Sequence, residues 1–341
     1  MSRSVFVTGA YGLLGSWLVK GLLARGDRVI VLKRTAGRPS ALSLEGTEAG
    51  CTVVSGDVTD GALMRRVISG HGIDTVFHLA AQPIVQTAHR SPVSTFESNV
   101  RGTWILLEEC RIHGVERVVV AASVQAYGRH EELPYREEFV LQPQFPYDVS
   151  KAATDLIARS YFASYGLPVA VTRFANVYGG GDLNHSRLIP EAVAAALAGR
   201  APVIRSDGSP VRDFLYVEDA AAAYLALADA LDRPGDAVRG RAFNAGGEQP
   251  HSVREIVELV CRLAGTGVEL DVRGSGSPTG EIDRYYVDST KLRETTGWRP
   301  QVDLEEGIRR TIDWYRMHPE ALEPGDRRAV AAPLAARAER A

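Results

Sequence analysis

The chain has 341 residues, of which 45% are hydrophobic and 24% charged, and its formal net charge is -3 at pH 7. This length predicts one large domain with a smaller lobe, and the charge gives no reason to expect a nucleic-acid partner. Three widely spaced cysteines suit thiols in a reducing cytosol, the apolar runs are too short to span a membrane, and the scattered histidines predict no metal site. We therefore expect a cytoplasmic protein.

Short apolar strands and amphipathic helices alternate along the first half of the chain. Strands are predicted at 3–8, 27–32, 51–57, 74–80, 116–122 and 168–174, and helices between them at 13–25, 61–69, 93–113 and 147–165. The third of these helices places Val93, Phe96, Val100, Trp104 and Leu107 on one face. Nearly continuous apolar strands separated by helices indicate an α/β fold with a parallel sheet covered on both sides.

A glycine-rich loop, "TGAYGLLG", follows the first predicted strand and spaces Gly9, Gly12 and Gly15 three residues apart. The first two glycines allow a tight turn and the close approach of a pyrophosphate, and the third lets the following helix pack against the strand. The N-terminus of that helix supplies free N–H donors. Because this loop opens a run of strand–helix units, it predicts a dinucleotide-binding, Rossmann-type doubly wound parallel sheet.

The pattern becomes irregular beyond residue 176, with helices predicted at 188–199 and 252–264 and an apolar segment at 212–231. We assign residues 1–176, together with parts of 212–245, to the dinucleotide-binding domain. Residues 177–320 are predicted to form a discontinuous, smaller α/β lobe that binds the substrate. The segment 321–341 is rich in Ala and Arg and is predicted to be a low-complexity tail.

The end of the second predicted strand lacks the acidic residue that usually holds the adenosine ribose of NAD. Lys33 and Arg34 stand there instead, followed by Thr35. Two cations favour a 2′-phosphate, so NADP is predicted in preference to NAD; the alternative is a solvated loop whose charges have no role. Asp57, just after the third strand, is predicted to accept a hydrogen bond from the adenine amino group or, alternatively, to cap the next helix.

Three side chains with proton-transfer chemistry follow. Tyr147 and Lys151 are four residues apart and therefore share a helical face, and Ser123 directly follows the fifth predicted strand. A neighbouring ammonium is expected to lower the pKa of the Tyr147 phenol, which would suit it to exchange a proton with a substrate hydroxyl. Ser123 would hydrogen-bond the reacting oxygen, and Lys151 would also hold a ribose of the cofactor. The alternative is an exposed Tyr/Lys pair without function.

The motifs, in their order, resemble those of an extended short-chain dehydrogenase/reductase of the NAD(P)-dependent epimerase/dehydratase family, which acts on nucleotide sugars. The resemblance extends from about residue 4 to 318 and includes "VTGAYGLLGSWL", "GDVTD", "VFHLAAQ", "SNVRGT", "YDVSK", "RFANVYGGGD", "RDFLYVEDA" and "STKLRETTGWRP". The segments "HLAAQPIV", "NVYGGGDLN" and "EIDRYYVDSTK" are most similar to CDP-glucose 4,6-dehydratases, whereas "KRT" is more similar to NADP-using GDP-mannose dehydratases.

This resemblance implies a nucleotide-diphosphate sugar as substrate and a set of residues for each ligand. The cofactor residues implied are Gly9, Tyr11, Gly12, Leu13, Leu14, Gly15, Lys33, Arg34, Asp57, Val58, Leu79, Ala80, Ala81, Asn99, Tyr147, Lys151 and Phe174. The substrate residues implied are Gln82, Ser123, Val124, Gln125, Asn176, Arg187, Leu188, Arg205, Arg212 and Arg284. Arg212 and Arg284 would pair with the diphosphate, unless they form surface ion pairs. Relatives form a homodimer through helices equivalent to 93–113 and 147–165.

Val124 and Gln125 distinguish this chain from the 4,6-dehydratases that it resembles. Those enzymes carry an acid and a base directly after the catalytic Ser or Thr, to remove water across C5 and C6 of the sugar. Valine and glutamine cannot transfer a proton near neutral pH. Oxidation and re-reduction at C4 need only Ser123, Tyr147, Lys151 and the cofactor, so we expect a 4-epimerase, an isomerase.

Three alternatives stay open. The first is a dehydratase, a lyase whose acid or base comes from elsewhere; the candidates are Glu131, Glu132, His130 and His89. The second is a 4-ketoreductase, and the third is a cofactor-binding protein without catalytic activity.

Overall fold

A computed structural model of the chain describes residues 2–34, 39–276 and 282–322. The strands are β1 (Ser4–Thr8), β2 (Arg28–Lys33), β3 (Thr52–Ser55), β4 (Thr75–His78), β5 (Arg117–Ala121), β6 (Val169–Phe174), β7 (Asn176–Tyr178), β8 (Val203–Ile204), β9 (Val211–Tyr216), β10 (Arg241–Ala245), β11 (Pro250–Ser252) and β12 (Asp271–Val272). The α-helices are α1 (Leu13–Ala24), α2 (Ala41–Leu44), α3 (Gly61–His71), α4 (Val85–Arg90), α5 (Pro92–Phe96), α6 (Gly102–Ile112), α7 (Pro146–Tyr165), α8 (Leu188–Leu197), α9 (Val217–Ala230), α10 (Val253–Ala264), α11 (Thr290–Thr296) and α12 (Leu304–Met317). Short 3-10 turns occur at Thr47–Gly50, Val124–Tyr127 and Pro319–Ala321, and a π-helical turn, Glu97–Arg101, joins α5 to α6.

The central sheet has seven parallel strands in the order β10-β6-β5-β4-β1-β2-β3. Its middle strands are apolar and almost fully buried because helices cover both faces: α1 and α9 pack on one side, and α3, α6 and α7 on the other. This confirms the predicted fold class. The strand order reverses between β1 and β4, and ligands of such sheets bind at the carboxyl ends of the strands on either side of that point.

The smaller lobe combines the three-stranded sheet β11-β9-β7 and the pair β12-β8 with α8, α10 and α12, which enclose a second hydrophobic core. The segment 212–245 is divided between the two parts of the molecule. Helix α9 packs on α1 and β10 joins the central sheet, whereas β9 pairs with β7 and β11. Most of the predicted tail at 321–341 lies outside the described residues.

The predicted helix at 93–113 is interrupted by the π-helical turn at Glu97–Arg101. The extra residue in that turn shifts the register, so the residues that face inward after the turn are Thr103, Leu106 and Leu107. Val93 is 73% exposed and Trp104 is 44% exposed. The apolar face inferred from sequence is therefore divided: Leu107 enters the core, Val100 is half-buried, and Val93, Phe96 and Trp104 lie on the surface.

Candidate active site

The glycine loop between β1 and α1 has the geometry of a phosphate cradle. Gly9 has a φ of +77°, and a Cβ there would lie 2.6 Å from the carbonyl carbon of Leu79; a Cβ on Gly15 would lie 2.2 Å from the oxygen of Gly9. Tight packing within the protein thus requires both glycines. A Cβ on Gly12 would meet only that same oxygen, at 3.4 Å. The fold itself does not require a glycine at position 12, whereas close approach of a phosphate group does.

Helix α1 begins directly after this loop and has no side-chain cap at Gly12. Its first backbone N–H groups, including those of Leu13 and Leu14, are therefore available to an anion, and the helix dipole favours one there. The residues present at this end of the sheet thus fit the pyrophosphate of a dinucleotide.

The three proton-transfer residues meet at the carboxyl end of β5. Ser123 follows that strand and caps the 3-10 turn Val124–Tyr127, where its Oγ accepts the N–H of Gln125 at 3.2 Å. Tyr147 lies in the first turn of α7, 9% exposed, and its phenol hydrogen-bonds with Ser123. Lys151, one helical turn later, is 5% exposed and donates from Nζ to the carbonyl of Ala121 at 2.8 Å. The alternative of an exposed Tyr/Lys pair is wrong.

The expected effect of Lys151 on Tyr147 is also wrong. Burial raises the pKa of Tyr147 to about 12, and the effects that oppose this rise are the hydrogen bond with Ser123 and the positive charge of Arg187. Burial also lowers the pKa of Lys151 to about 8. The lysine is directed to a backbone carbonyl of β5, so the cation that favours the phenolate is Arg187 from the smaller lobe. At neutral pH, Tyr147 holds its proton.

The turn after Ser123 carries no acid or base. Val124 is 2% exposed and belongs to an apolar cluster with Tyr135, Ala175 and Tyr285. Gln125 is half-buried. A side chain that transfers protons is thus absent at both positions, and the pocket around Val124 is filled with apolar atoms.

The four substitutes considered from sequence are poorly suited to replace this acid or base. Glu131 and His89 are exposed, and Glu132 is exposed and paired with Arg136 at 2.6 Å. The Nε2 of His130 lies 3.1 Å from the carbonyl of Tyr127 and 3.0 Å from that of Val140. Nε2 of His130 is therefore engaged by backbone carbonyls, which leaves it poorly placed to exchange a proton with a substrate.

Asp148 is a carboxyl group that the sequence reasoning missed. It directly follows Tyr147, is 4% exposed, and forms no hydrogen bond with the described part of the chain. Burial raises its pKa to about 7. Since Asp148 and Asp155 are seven residues apart, they share a face of α7, and Asp155 pairs there with Arg173. Asp148 could have been identified from the sequence, because it is an acidic residue of "YDVSK" at a position where the spacing of the apolar residues predicts the buried side of a helix.

Three of the predicted substrate residues, Asn176, Arg187 and Arg212, have side-chain contacts that link β7, β9 and the start of α8 to neighbouring segments. Arg212 lies 4.8 Å from the ring of Tyr285, whose hydroxyl donates to Oδ1 of Asn176 at 3.1 Å. Arg187 pairs with Asp182 at 2.9 Å at the start of α8, which Leu188 begins. Tyr285 was missed because no sequence pattern connects it to Asn176.

Other predicted residues are engaged in local contacts. Arg205 donates to the carbonyl of Ser186 at 3.1 Å, and Arg284 stacks over Tyr286 at 5.6 Å. The side-chain amide of Gln82 donates to the carbonyl of Ile84 and accepts the N–H of the same residue. These contacts orient the loops around the opening, and none of them by itself identifies a ligand contact.

Asn99 connects the segment that follows β4 to helix α7. Its Oδ1 accepts the N–H of Gln82 at 2.7 Å, and its amide donates to Ser150 at 2.9 Å. This bridge fixes the backbone of Ala80 and Ala81, both half-buried, beside the glycine loop. Phe174, 7% exposed, ends β6 on the same side of the sheet.

Two groups predicted to contact the adenosine form contacts within the protein. The first is Asp57: the alternative that it caps α3 is wrong, because Asp60 accepts the N–H of Leu63 there, and Asp57 accepts hydrogen bonds from Thr59. The buried Val58 packs near α6, where a Cβ on Gly102 would lie 2.7 Å from it.

The second group comprises the two cations at the end of β2, Lys33 and Arg34, which were predicted to contact a 2′-phosphate. The Nζ of Lys33 is 2.7 Å from Oε1 of Glu48, which also accepts the hydroxyl of Tyr11 at 2.6 Å. Arg34 is exposed, and Thr35 lies outside the described residues.

In the part of the chain that the structure describes, none of the helices is long and apolar enough to cross a membrane. Within those same residues, the His, Cys, Asp and Glu side chains form no group of three or more that could hold a metal ion.

Comparison with known proteins shows the family and the fold of the chain. The chain is 34% identical to the dTDP-glucose 4,6-dehydratase of Streptomyces griseus, across 95% of this chain and 97% of that protein. The solved UDP-glucose 4-epimerase of Thermotoga maritima superposes with a TM-score of 0.85 at 29% identity, covering 93% of this chain and 99% of that one.

A longer relative, a trifunctional UDP-glucose 4,6-dehydratase, 3,5-epimerase and reductase of Arabidopsis thaliana, is 29% identical, and the chain spans 48% of its length. The family model described as the NAD dependent epimerase/dehydratase family matches residues 5–246. The chain therefore belongs to the NAD-dependent epimerase/dehydratase family of extended short-chain dehydrogenases/reductases, whose members include nucleotide-sugar 4-epimerases and 4,6-dehydratases.

Proposed function

We propose that the protein is a nucleotide-diphosphate-sugar 4-epimerase. The observation that supports this most is the buried, apolar environment of Val124 next to Ser123, because removal of water from C5 and C6 needs an acid and a base there. Inversion at C4 needs neither group. A bound NAD(P) would supply the oxidation and reduction at C4.

The residues of the chain then have distinct roles. Ser123 hydrogen-bonds the C4 oxygen. The phenolate form of Tyr147, which Ser123 and Arg187 favour, takes the C4 hydroxyl proton when C4 is oxidised and returns a proton when C4 is reduced. Lys151, whose pKa is about 8, is the member of the set that changes charge closest to neutral pH, and it also orients a ribose hydroxyl. Arg212 and Arg284 bind the diphosphate, because a guanidinium donates to two phosphate oxygens at once.

The experiment is incubation of the purified protein with a panel of nucleotide hexoses and analysis of the products by mass and chromatography. A 4-epimerase leaves the mass unchanged and gives the C4 epimer. Loss of one water would show a dehydratase, and consumption of NADPH with a gain of two hydrogens on a 4-keto sugar would show a reductase. If no member of the panel is converted while a dinucleotide is bound, the non-catalytic alternative holds.

Asp148 favours a second candidate function, a 4,6-dehydratase. A buried carboxyl with a pKa of about 7, adjacent to Tyr147, has the properties of an acid–base group that is supplied from outside the Ser123 turn. Under this alternative, Asp148→Asn abolishes water loss, whereas Glu131→Gln, at an exposed position, leaves it intact. If the protein is an epimerase, Asp148→Asn retains C4 inversion.

We further propose that the protein binds NADP in preference to NAD. The support for this preference is Arg34, which is exposed at the end of β2 and forms no ion pair within the described residues. Lys33 supports it less than expected, because its ammonium is paired with Glu48. Identification of the dinucleotide released from denatured protein tests the preference, and release of NAD alone would contradict it.

We also propose a cytoplasmic homodimer. Val93, Phe96 and Trp104, on α5 and α6, and Leu156 and Tyr165, on α7, are all at least one-third exposed, and such apolar residues on adjacent helices favour burial against a second copy. Sedimentation should give a dimer, and Trp104→Glu with Leu156→Glu should give a monomer. The cytoplasmic location rests on composition and cysteine usage, and cell fractionation tests it.

A further inference from the structure

We propose that Glu48 is a specificity-determining residue for the cofactor: its carboxylate accepts a hydroxyl of the adenosine ribose and opposes a phosphate at the 2′ position. No feature of the sequence assigns a role to Glu48, which lies in the 3-10 turn before β3 and not at the end of β2. The inference rests on the proposed binding of a nicotinamide dinucleotide by the glycine loop.

The position of Glu48 is defined by contacts with two parts of the predicted cofactor site. Its Oε1 accepts the hydroxyl of Tyr11, from the glycine loop, at 2.6 Å and the ammonium of Lys33, at the end of β2, at 2.7 Å. The same ammonium lies 4.8 Å from the centre of the Tyr11 ring. Glu48 thus joins the loop expected to bind the pyrophosphate to the strand end expected to face the ribose.

The second oxygen of this carboxylate is available for a ligand. Both contacts use Oε1, and Oε2 forms no hydrogen bond within the part of the chain that the structure describes. The side chain of Glu48 is 25% exposed, so that oxygen can be reached from solvent. An acceptor at this place has the function of the Asp or Glu that other dinucleotide-binding folds carry at the end of their second strand.

The charges at this end of the cleft then oppose one another. The bond from Lys33 is the main reason that the pKa of Glu48 lies below its usual range, so the carboxylate is ionised at neutral pH. The pair is neutral overall, and Lys33 therefore does not present a free cation to a 2′-phosphate. Arg34 attracts such a phosphate while Glu48 repels it, so Glu48 limits the preference for NADP that Arg34 supports.

Direct binding measurements on protein stripped of its own dinucleotide test this inference without turnover. Dissociation constants for NADH and NADPH are measured by nicotinamide fluorescence for the wild type and for Glu48→Gln. We expect the ratio of the two constants to move toward NADPH by about tenfold, because the variant loses one negative charge beside the 2′ position. Far-UV circular dichroism verifies that the variant is folded.

Two further variants sharpen the test. Glu45→Gln is the matched control: this carboxylate comes from the same segment but pairs with Lys20 and Trp314, and its substitution should leave the ratio unchanged. Lys33→Met removes the neutralising cation and should move the ratio toward NADH. An unchanged ratio in Glu48→Gln, or an equal shift in Glu45→Gln, overturns the inference. Failure of the wild type to bind either dinucleotide overturns the proposed function as well.

Discussion

Asp155→Asn should destabilise the protein by about 3 kcal/mol, because it breaks a buried ion pair that attaches α7 to the sheet. Asp155 is 0% and Arg173 is 1% exposed, and the carboxylate accepts from Nε at 2.8 Å and from Nη2 at 3.0 Å. Removal of one partner of such a pair leaves a buried charge uncompensated and costs about 3–5 kcal/mol. Asparagine keeps one acceptor oxygen, which places the expected loss at the lower end of that range.

The measurement is equilibrium unfolding in urea at pH 7, followed by tryptophan fluorescence. Arg159→Gln is the matched control: Arg159 approaches the same carboxylate at 3.5 Å but is 41% exposed. The loss in that variant should stay below about 1 kcal/mol, as is usual for exposed pairs. A loss below about 1 kcal/mol in Asp155→Asn would refute the reasoning, since it would mean that the guanidinium of Arg173 has other compensation. If Asp155→Asn keeps its stability but loses turnover, Asp155 acts in catalysis and not in stabilising the fold.

Two more predictions address the site and its pH dependence. Tyr147→Phe should reduce turnover of a responsive nucleotide sugar by about 10²–10⁴-fold while dinucleotide affinity stays near the wild-type value, and wild-type turnover would remove Tyr147 from the chemistry. Burial lowers the pKa of His78, which lies between Thr8 and Thr103, to about 3. Because the unfolded chain binds this proton near pH 6.5, stability should fall by about 1.4 kcal/mol per pH unit from this group as the pH drops below 6.5 toward 3. Urea titrations of His78→Gln should show a shallower slope than the wild type, and equal slopes would contradict the assignment.

Local patterns were sufficient for much of the fold. The apolar runs at β1, β5 and β6 and the helix that carries Tyr147 and Lys151 follow from periodicity, since each pattern is contained within a few consecutive residues. The π-helical turn at Glu97–Arg101 could not be predicted in this way, because its extra residue is stabilised by contacts with α7 and not by composition.

The electrostatics of the site depended on contacts between distant segments. The charge of Lys33 could be read from the sequence, but its neutralisation by Glu48, fifteen residues later, could not. The expected effect of Lys151 on Tyr147 failed for a similar reason: helical spacing places the two residues on one face without specifying burial or the carbonyl of Ala121. Burial and long-range pairing, which determine pKa values, are properties of the folded chain.

The fate of a deuterium atom at C4 tests the proposed epimerase function most directly. The purified protein is incubated with the 4-deuterated form of a nucleotide hexose that it converts, and the product is analysed by mass and NMR. Since Val124 and Gln125 provide no acid or base for elimination, the product should keep its mass and carry the label at C4 in both epimers. A product that has lost water and carries the label at C6 would contradict this function and identify a 4,6-dehydratase.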